Sequence, residues 1–208
     1  GAKTEKITFL NRQKNLLDAF YRGENPEDLC CEENMLAELV RSDSGANPGL
    51  QSYLRNMMAV MAFDADRRGR TISPAELNEY SLRLATAVMD AMFYFIGHND
   101  PAPRRRTRYL AVIAAHITHM LRDTYEDTQA GYFNIPDEFL ASHGLSPLDI
   151  KSQAYREWVC KRVQKAHRYF KVGREYIAQV KNLRCRLAGY AYTARFEWML
   201  RLIERENY

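Results

Sequence analysis

The sequence has no uncharged apolar run of about 18 residues, so no stretch of its 208 residues reads as a membrane-spanning helix. Its first residues, Gly1-Ala-Lys-Thr-Glu-Lys6, lack the apolar core of a signal peptide. Cysteine is scarce. Cys30, Cys31, Cys160 and Cys185 show no metal-ligand spacing, and an adjacent pair is a poor disulfide framework, which favours a reducing compartment and a cytoplasmic location. No stretch alternates apolar and polar residues as a half-buried strand would. Charge of either sign is not in excess. Thirty basic against 26 acidic residues leave a net +4, and no nucleic-acid recognition motif is present, so nucleic acid is not an expected partner. The pI of 8.8 remains compatible with anionic ligands.

What is there is helix after helix. A hydrophobic content of 46% is enough for one domain with a sizeable core, and the expectation is a single all-α bundle over residues 1–208. The apolar spacing predicts helices over about residues 5–22, 26–42 and 50–67, with a loop at 44–49 and a methionine-rich third helix carrying Met57, Met58 and Met61. Ser73-Pro-Ala-Glu76 is a helix-start signature, with a serine cap, proline in the first turn and a glutamate three residues on. That helix runs on to a stop at 97–101. A further helix is predicted over 104–128, a short one to about residue 143, and two long ones over 153–180 and 184–205. The first long helix should turn Arg162, Lys165, Arg168, Lys171 and Arg174 outward.

The stretch from His116 to Pro136 carries the chemistry. On one helix, Asp123 and Asp127 stand a turn apart with Glu126 beside them. An acidic pair at this spacing is ordinarily a solvated face, and Arg122 would neutralise part of it. The context alters the reading, because His116 and His119 fall close to the same face of an otherwise apolar helix (Leu110, Val112, Ile113, Ile117, Met120, Leu121), as sites inside helical bundles do. Three carboxylates on one stripe call for a hard cation such as magnesium, which is held by one or two carboxylates plus substrate phosphates. Zinc fits less well, since two histidines are only half a ligand set and no cysteine is near.

Leu121-Arg-Asp-Thr-Tyr-Glu-Asp127, followed by Gly131, Tyr132 and Ile135-Pro136, resembles the second aspartate-rich motif of the squalene and phytoene synthase family, and the resemblance covers roughly residues 50–206. It implies the isoprenoid-synthase helical fold and a transferase that joins two prenyl diphosphates, farnesyl or geranylgeranyl, head to head. By this resemblance Asp123, Asp127 and Glu126 would bind magnesium, Arg122 would stand close to the phosphates and Tyr80 would line the cavity. His116 and His119 take the places of the family's glutamine and asparagine, Asp64 matches an aspartate after a methionine-containing run, and Phe196 stands near a family tyrosine. A nicotinamide reductant, NADPH, enters only if the product is reduced. An apolar product would also suit peripheral contact with a membrane.

The chain departs from the family in places. Thr86 and Met89 stand where two glycines would give room to an isoprenoid chain. The first aspartate-rich motif has no counterpart, and the expectation is that it precedes Gly1; the alternative is a protein that lacks half of the metal site. In the former case apolar residues of the helices over 50–67 or 110–121 should be exposed. The cluster Arg67, Arg68 and Arg70 reads equally as a solvated turn or a diphosphate ligand. The rival function is a non-catalytic homologue acting in assembly, interaction or prenyl binding.

Overall fold

The computed structural model describes residues 2–43, 45, 48–97 and 105–206. Nine α-helices account for most of them: α1 (Ala2–Tyr21), α2 (Cys31–Arg41), α3 (Gly49–Arg67), α4 (Pro74–Ala91), α5 (Leu110–Arg122), α6 (Thr124–Ala130), α7 (Asp137–His143), α8 (Gln153–Ala178) and α9 (Leu183–Arg205). Among the described residues the only β-pairing is an isolated parallel bridge between Ile72 and Pro136. The fold is all-α, as the sequence predicts.

Side-chain caps set several of the starts. Ser73 accepts from the Glu76 amide at 3.2 Å while the Glu76 carboxylate accepts from the Ser73 amide at 2.8 Å, closing a reciprocal box around the first turn of α4. Ser152 and Asn182 cap α8 and α9 in the same sense, accepting from the amides of Tyr155 and Cys185. α6 and α7 stop where Gly131 and Gly144 enter the left-handed region, at φ 84° and 61°.

α5 lies at the centre. Its residues Ala114, Ala115, Ile117 and Leu121 join α7, α8 and α9 in one core, while Ala111 and Val112 face Ala85, Met89 and Phe93 in a second. Of its 13 residues only His119 and Arg122 are exposed. α8 approaches so closely that a Cβ placed on Gly173 would lie 2.6 Å from the Ala111 Cβ, so glycine is what lets these backbones meet. A third cluster joins α1 to α2 through Leu16, Leu17, Phe20, Ala37 and Val40.

Four expectations need correction. The second helix starts at Cys31 and not at 26, because Asp28 sits at φ 57°, a conformation no helix passes through; Arg12 holds the Asp28 carbonyl and the Glu33 carboxylate there. The helix expected over 104–128 is two helices that meet at Asp123, preceded by a 3-10 turn over Arg106–Tyr109. The helix begun at Ser73 changes to a π-turn over Met92–Ile96 before Gly97. Arg162 is not on the exterior. It lies half-buried over the Trp158 ring with its Nε unsatisfied, and burial pushes its guanidinium down to about 10. Parts of two predicted breaks, residues 44, 46 and 47 and residues 98–101, lie outside the described residues, as does Arg104.

Candidate active site at the break between α5 and α6

The break has a local cause. The Thr124 hydroxyl donates back to the Met120 carbonyl at 2.9 Å, a contact that bends helices, and Asp123 relaxes to φ −92°, ψ 8°. The Tyr155 hydroxyl on α8 donates to Thr124 Oγ1 at 3.0 Å and so fixes the bend from outside. The backbone stays continuous, since the Asp123 amide reaches His119 O and the Asp127 amide reaches Asp123 O. Asp123 and Asp127 therefore keep one-turn spacing while belonging to different helices.

Their environments differ. Asp123 accepts from the Arg122 guanidinium, with Nη2 to Oδ2 at 2.7 Å, and His119 Nδ1 stands 3.2 Å away. The Arg122 hydrogen bonds hold its carboxyl below the usual range. Asp127 meets no cation directly among the described residues; its polar partner is the Asn134 amide, which donates at 2.8 Å. Desolvation pushes Asp127 upward, against the opposing pull of Asn134 and of the Arg67 charge. Glu126 is exposed beside them, and the Arg122 pKa is raised first by the Asp123 hydrogen bonds, with the Glu126 charge adding to it.

Behind Asp127 lies a buried relay that spacing could not reveal. Arg67 donates to Asn134 Oδ1 at 2.9 Å and to Asp64 Oδ1 at 2.7 Å, and its guanidinium lies over the rings of Phe63, Tyr80 and Tyr132 at 5.0–5.8 Å. The Tyr80 hydroxyl donates to the other Asp64 oxygen at 3.1 Å. Burial and the Asp64 charge raise the Tyr80 phenol, so it stays protonated as a donor. Arg67 and Asn134 are residues that sequence reasoning missed as a pair; the basic cluster after Asp64 was the single hint. Its other members are also engaged, Arg68 with the Ala130 carbonyl and Arg70 with Asp66 and Glu76.

His116 is placed differently from His119. It is buried, its Nδ1 lies 3.1 Å from the Ser81 hydroxyl, and its ring meets Tyr80 edge-on at 4.9 Å. Burial pushes it down to about 3, so it is a neutral ring inside the bundle and not a cation facing phosphate. His119 is exposed, with Nε2 2.9 Å from Arg122 Nη2. Phe196 packs half-buried against Tyr192, ring centroids 5.0 Å apart, and one turn on Met199 meets Arg122. Met89 is core and Thr86 back-bonds to Leu82 O. A cavity of about 670 Å³ between α1, α3 and α4 has Tyr80 and Phe63 in its wall, but not Asp123 or Asp127. Met61, on α3, is exposed.

Two groups thus share one rim: His119, Arg122 and Asp123 outside, and Asp127, Asn134, Arg67, Asp64 and Tyr80 inside. Among the described residues no three His, Cys, Asp or Glu side chains gather closely enough to cage a metal ion. The family model for squalene/phytoene synthase matches residues 10–208. The chain belongs to the squalene/phytoene synthase family. No curated protein matches it. Family membership associates the chain with isoprenoid biosynthesis and, at family level, with head-to-head joining of prenyl diphosphates, a generally magnesium-dependent transfer. No helix among the described residues is long and apolar enough to cross a membrane.

Proposed function

We propose that the chain carries the second metal-and-diphosphate site of a head-to-head prenyl synthase acting on farnesyl or geranylgeranyl diphosphate. The observation that supports this most is Asp127, a half-buried carboxylate with an amide as its hydrogen-bond partner and a pKa raised by desolvation, one turn from Asp123. A carboxylate so placed has a cation, Arg67, only through Asn134, and a hard cation would supply a direct one. The donor set suits magnesium shared with phosphate oxygens, since two carboxylates at the rim are what that ion commonly takes from a protein. Asp123 and Asp127 would hold it, with Glu126 alongside, and when bound it would neutralise the departing diphosphate.

The chain's own groups do the rest. Arg122 holds its Nε and Nη2 edge on Asp123, with His119 beside it, and its charge at the rim would be shared with phosphate oxygens once metal takes over Asp123. The carbon–oxygen bond to diphosphate breaks with its electron pair leaving on oxygen, the double bond of the second prenyl chain attacks the electron-poor carbon, and the cation this leaves on the second chain is discharged by loss of a proton. Tyr80, Phe63 and Tyr132 keep an aromatic wall around Arg67, which limits water where a cation must survive. His116 orients Tyr80 and stays neutral. A non-catalytic, prenyl-binding or assembly role is the competing reading, favoured by the lack of a three-ligand cluster among the described residues.

Magnesium-dependent binding of farnesyl and geranylgeranyl diphosphate to the full-length protein tests this. Asp123→Asn and Asp127→Asn should each abolish the magnesium dependence. Asp127→Asn should leave stability unchanged or slightly higher, because it removes a desolvated charge. Equal affinity with and without magnesium in the wild type, or unchanged affinity in both variants, would mean that the carboxylates are an ordinary acidic surface.

A further inference from the structure

α9 has two working sides. Its inner side packs on α5 and α8, and there Met199 meets Arg122 at the site. On its outer side Leu183, Leu187, Tyr190 and Trp198 are 55%, 60%, 38% and 60% exposed. At about 100° per residue these four fall within an arc of roughly 80°, and exposed Ala194 lies between them. Scattered exposed apolar residues are ordinary; four large ones aligned along a helix of 23 residues, roughly 35 Å, are a surface.

The exposed charges around that stripe are mainly basic. Lys181, Arg184, Arg195, Arg201 and Arg205 are all exposed. Of the helix's two carboxylates, Glu197 is buried against Arg174 and Glu204 is partly exposed and paired with His167; Glu206 follows, exposed, at the C-cap. An aliphatic and aromatic stripe among arginines, with exposed bases outnumbering exposed acids along the helix, is the pattern of a helix lying in the interfacial plane of an anionic bilayer. A protein partner or a second copy would need a complementary acidic face, and the stripe itself offers a copy mainly the same positive charge.

We propose that the outer face of α9 docks on an anionic lipid bilayer. Leu183, Leu187, Tyr190 and Trp198 enter the boundary between headgroups and acyl chains, and the arginines pair with lipid phosphates. The inner face of the same helix stays on Arg122, so the site sits one helix diameter from the lipid. The proposal stands apart from the carboxylate reading, since it depends on neither metal nor diphosphate.

Sedimentation of the full-length protein with vesicles tests it, using phosphatidylcholine alone and phosphatidylcholine mixed with phosphatidylglycerol. The protein should pellet with the anionic vesicles only, release as salt rises, and show a blue-shifted tryptophan emission that Trp198→Phe abolishes. Leu187→Glu with Trp198→Glu should end binding while the melting curve stays as in wild type, because both side chains are exposed. Arg201→Gln with Arg205→Gln should weaken binding roughly 30-fold. Equal recovery on both vesicles, recovery on neither, binding retained by the double glutamate variant, or a dimer that this variant dissolves would each overturn the proposal.

Discussion

Arg67 is tied to Asp64 and Asn134 and covered by three rings, so deleting its guanidinium strands an acid and an amide in a nearly closed space. Arg67→Leu should therefore cost roughly 2–4 kcal/mol in urea denaturation, somewhat below the range for fully buried pairs because Asp64 is partly exposed. A loss below about 1 kcal/mol would show that solvent replaces the relay. At this scale the sequence was legible wherever chemistry recurs at helical spacing: Asp123, Asp127, Glu126 and Arg122 all lie at the rim. It was not legible where contact comes from folding, because Arg67 and Asn134 are 67 positions apart. The identity of His116 could be read from the sequence, but its burial could not. Burial depends on what Ser81 and Tyr80 bring from α4.

Between helices the tightest constraint is the crossing of α5 and α8. An alanine at Gly173 would gain up to about 1 kcal/mol of helix propensity yet push into Ala111 backbone and Cβ at 2.6–2.9 Å. Overpacking of that kind costs about 1–3 kcal/mol, so Gly173→Ala should lower the melting temperature. Gly189→Ala is the control. The three atoms nearest its new Cβ all belong to the Ile177 side chain, at 3.3–3.4 Å with no backbone among them, so thermal melts should find a smaller loss than for Gly173→Ala. Helix order was legible from apolar period and from Ser73-Pro74, Gly131 and Gly144, but the eight helices expected are nine among the described residues. The boundaries that failed did so for physical reasons outside the period: a left-handed Asp28 delays α2, and the Thr124 back-bond splits the motif helix. Arg162 failed because a long basic side chain can lie along apolar surface wherever a tryptophan accepts it.

For the molecule as a whole, the buried imidazole sets a pH dependence. His116 falls from the usual 6.5 to about 3 in the fold, so between those values the unfolded chain binds a proton that the native state refuses. Its contribution is full above pH 6.5 and is lost as pH falls, at up to about 1.4 kcal/mol per pH unit. Comparing stability against pH for wild type and His116→Gln should show a flatter acid limb in the variant; parallel curves would mean the ring protonates in place. The loops on the far side of the relay are joined as well. Gly69 donates to the Gly131 carbonyl at 2.8 Å, Asp137 donates to Ile72 O at 3.0 Å, and Arg68 holds Ala130 O. The segment ahead of α4 and the segment beyond α6 are therefore laced edge to edge. Mechanically they form one hinge leaf: any swing that carries Tyr132 and Asn134 outward must drag the cap of α4, and Tyr80 with it, so the inner half of the site opens in gear or not at all.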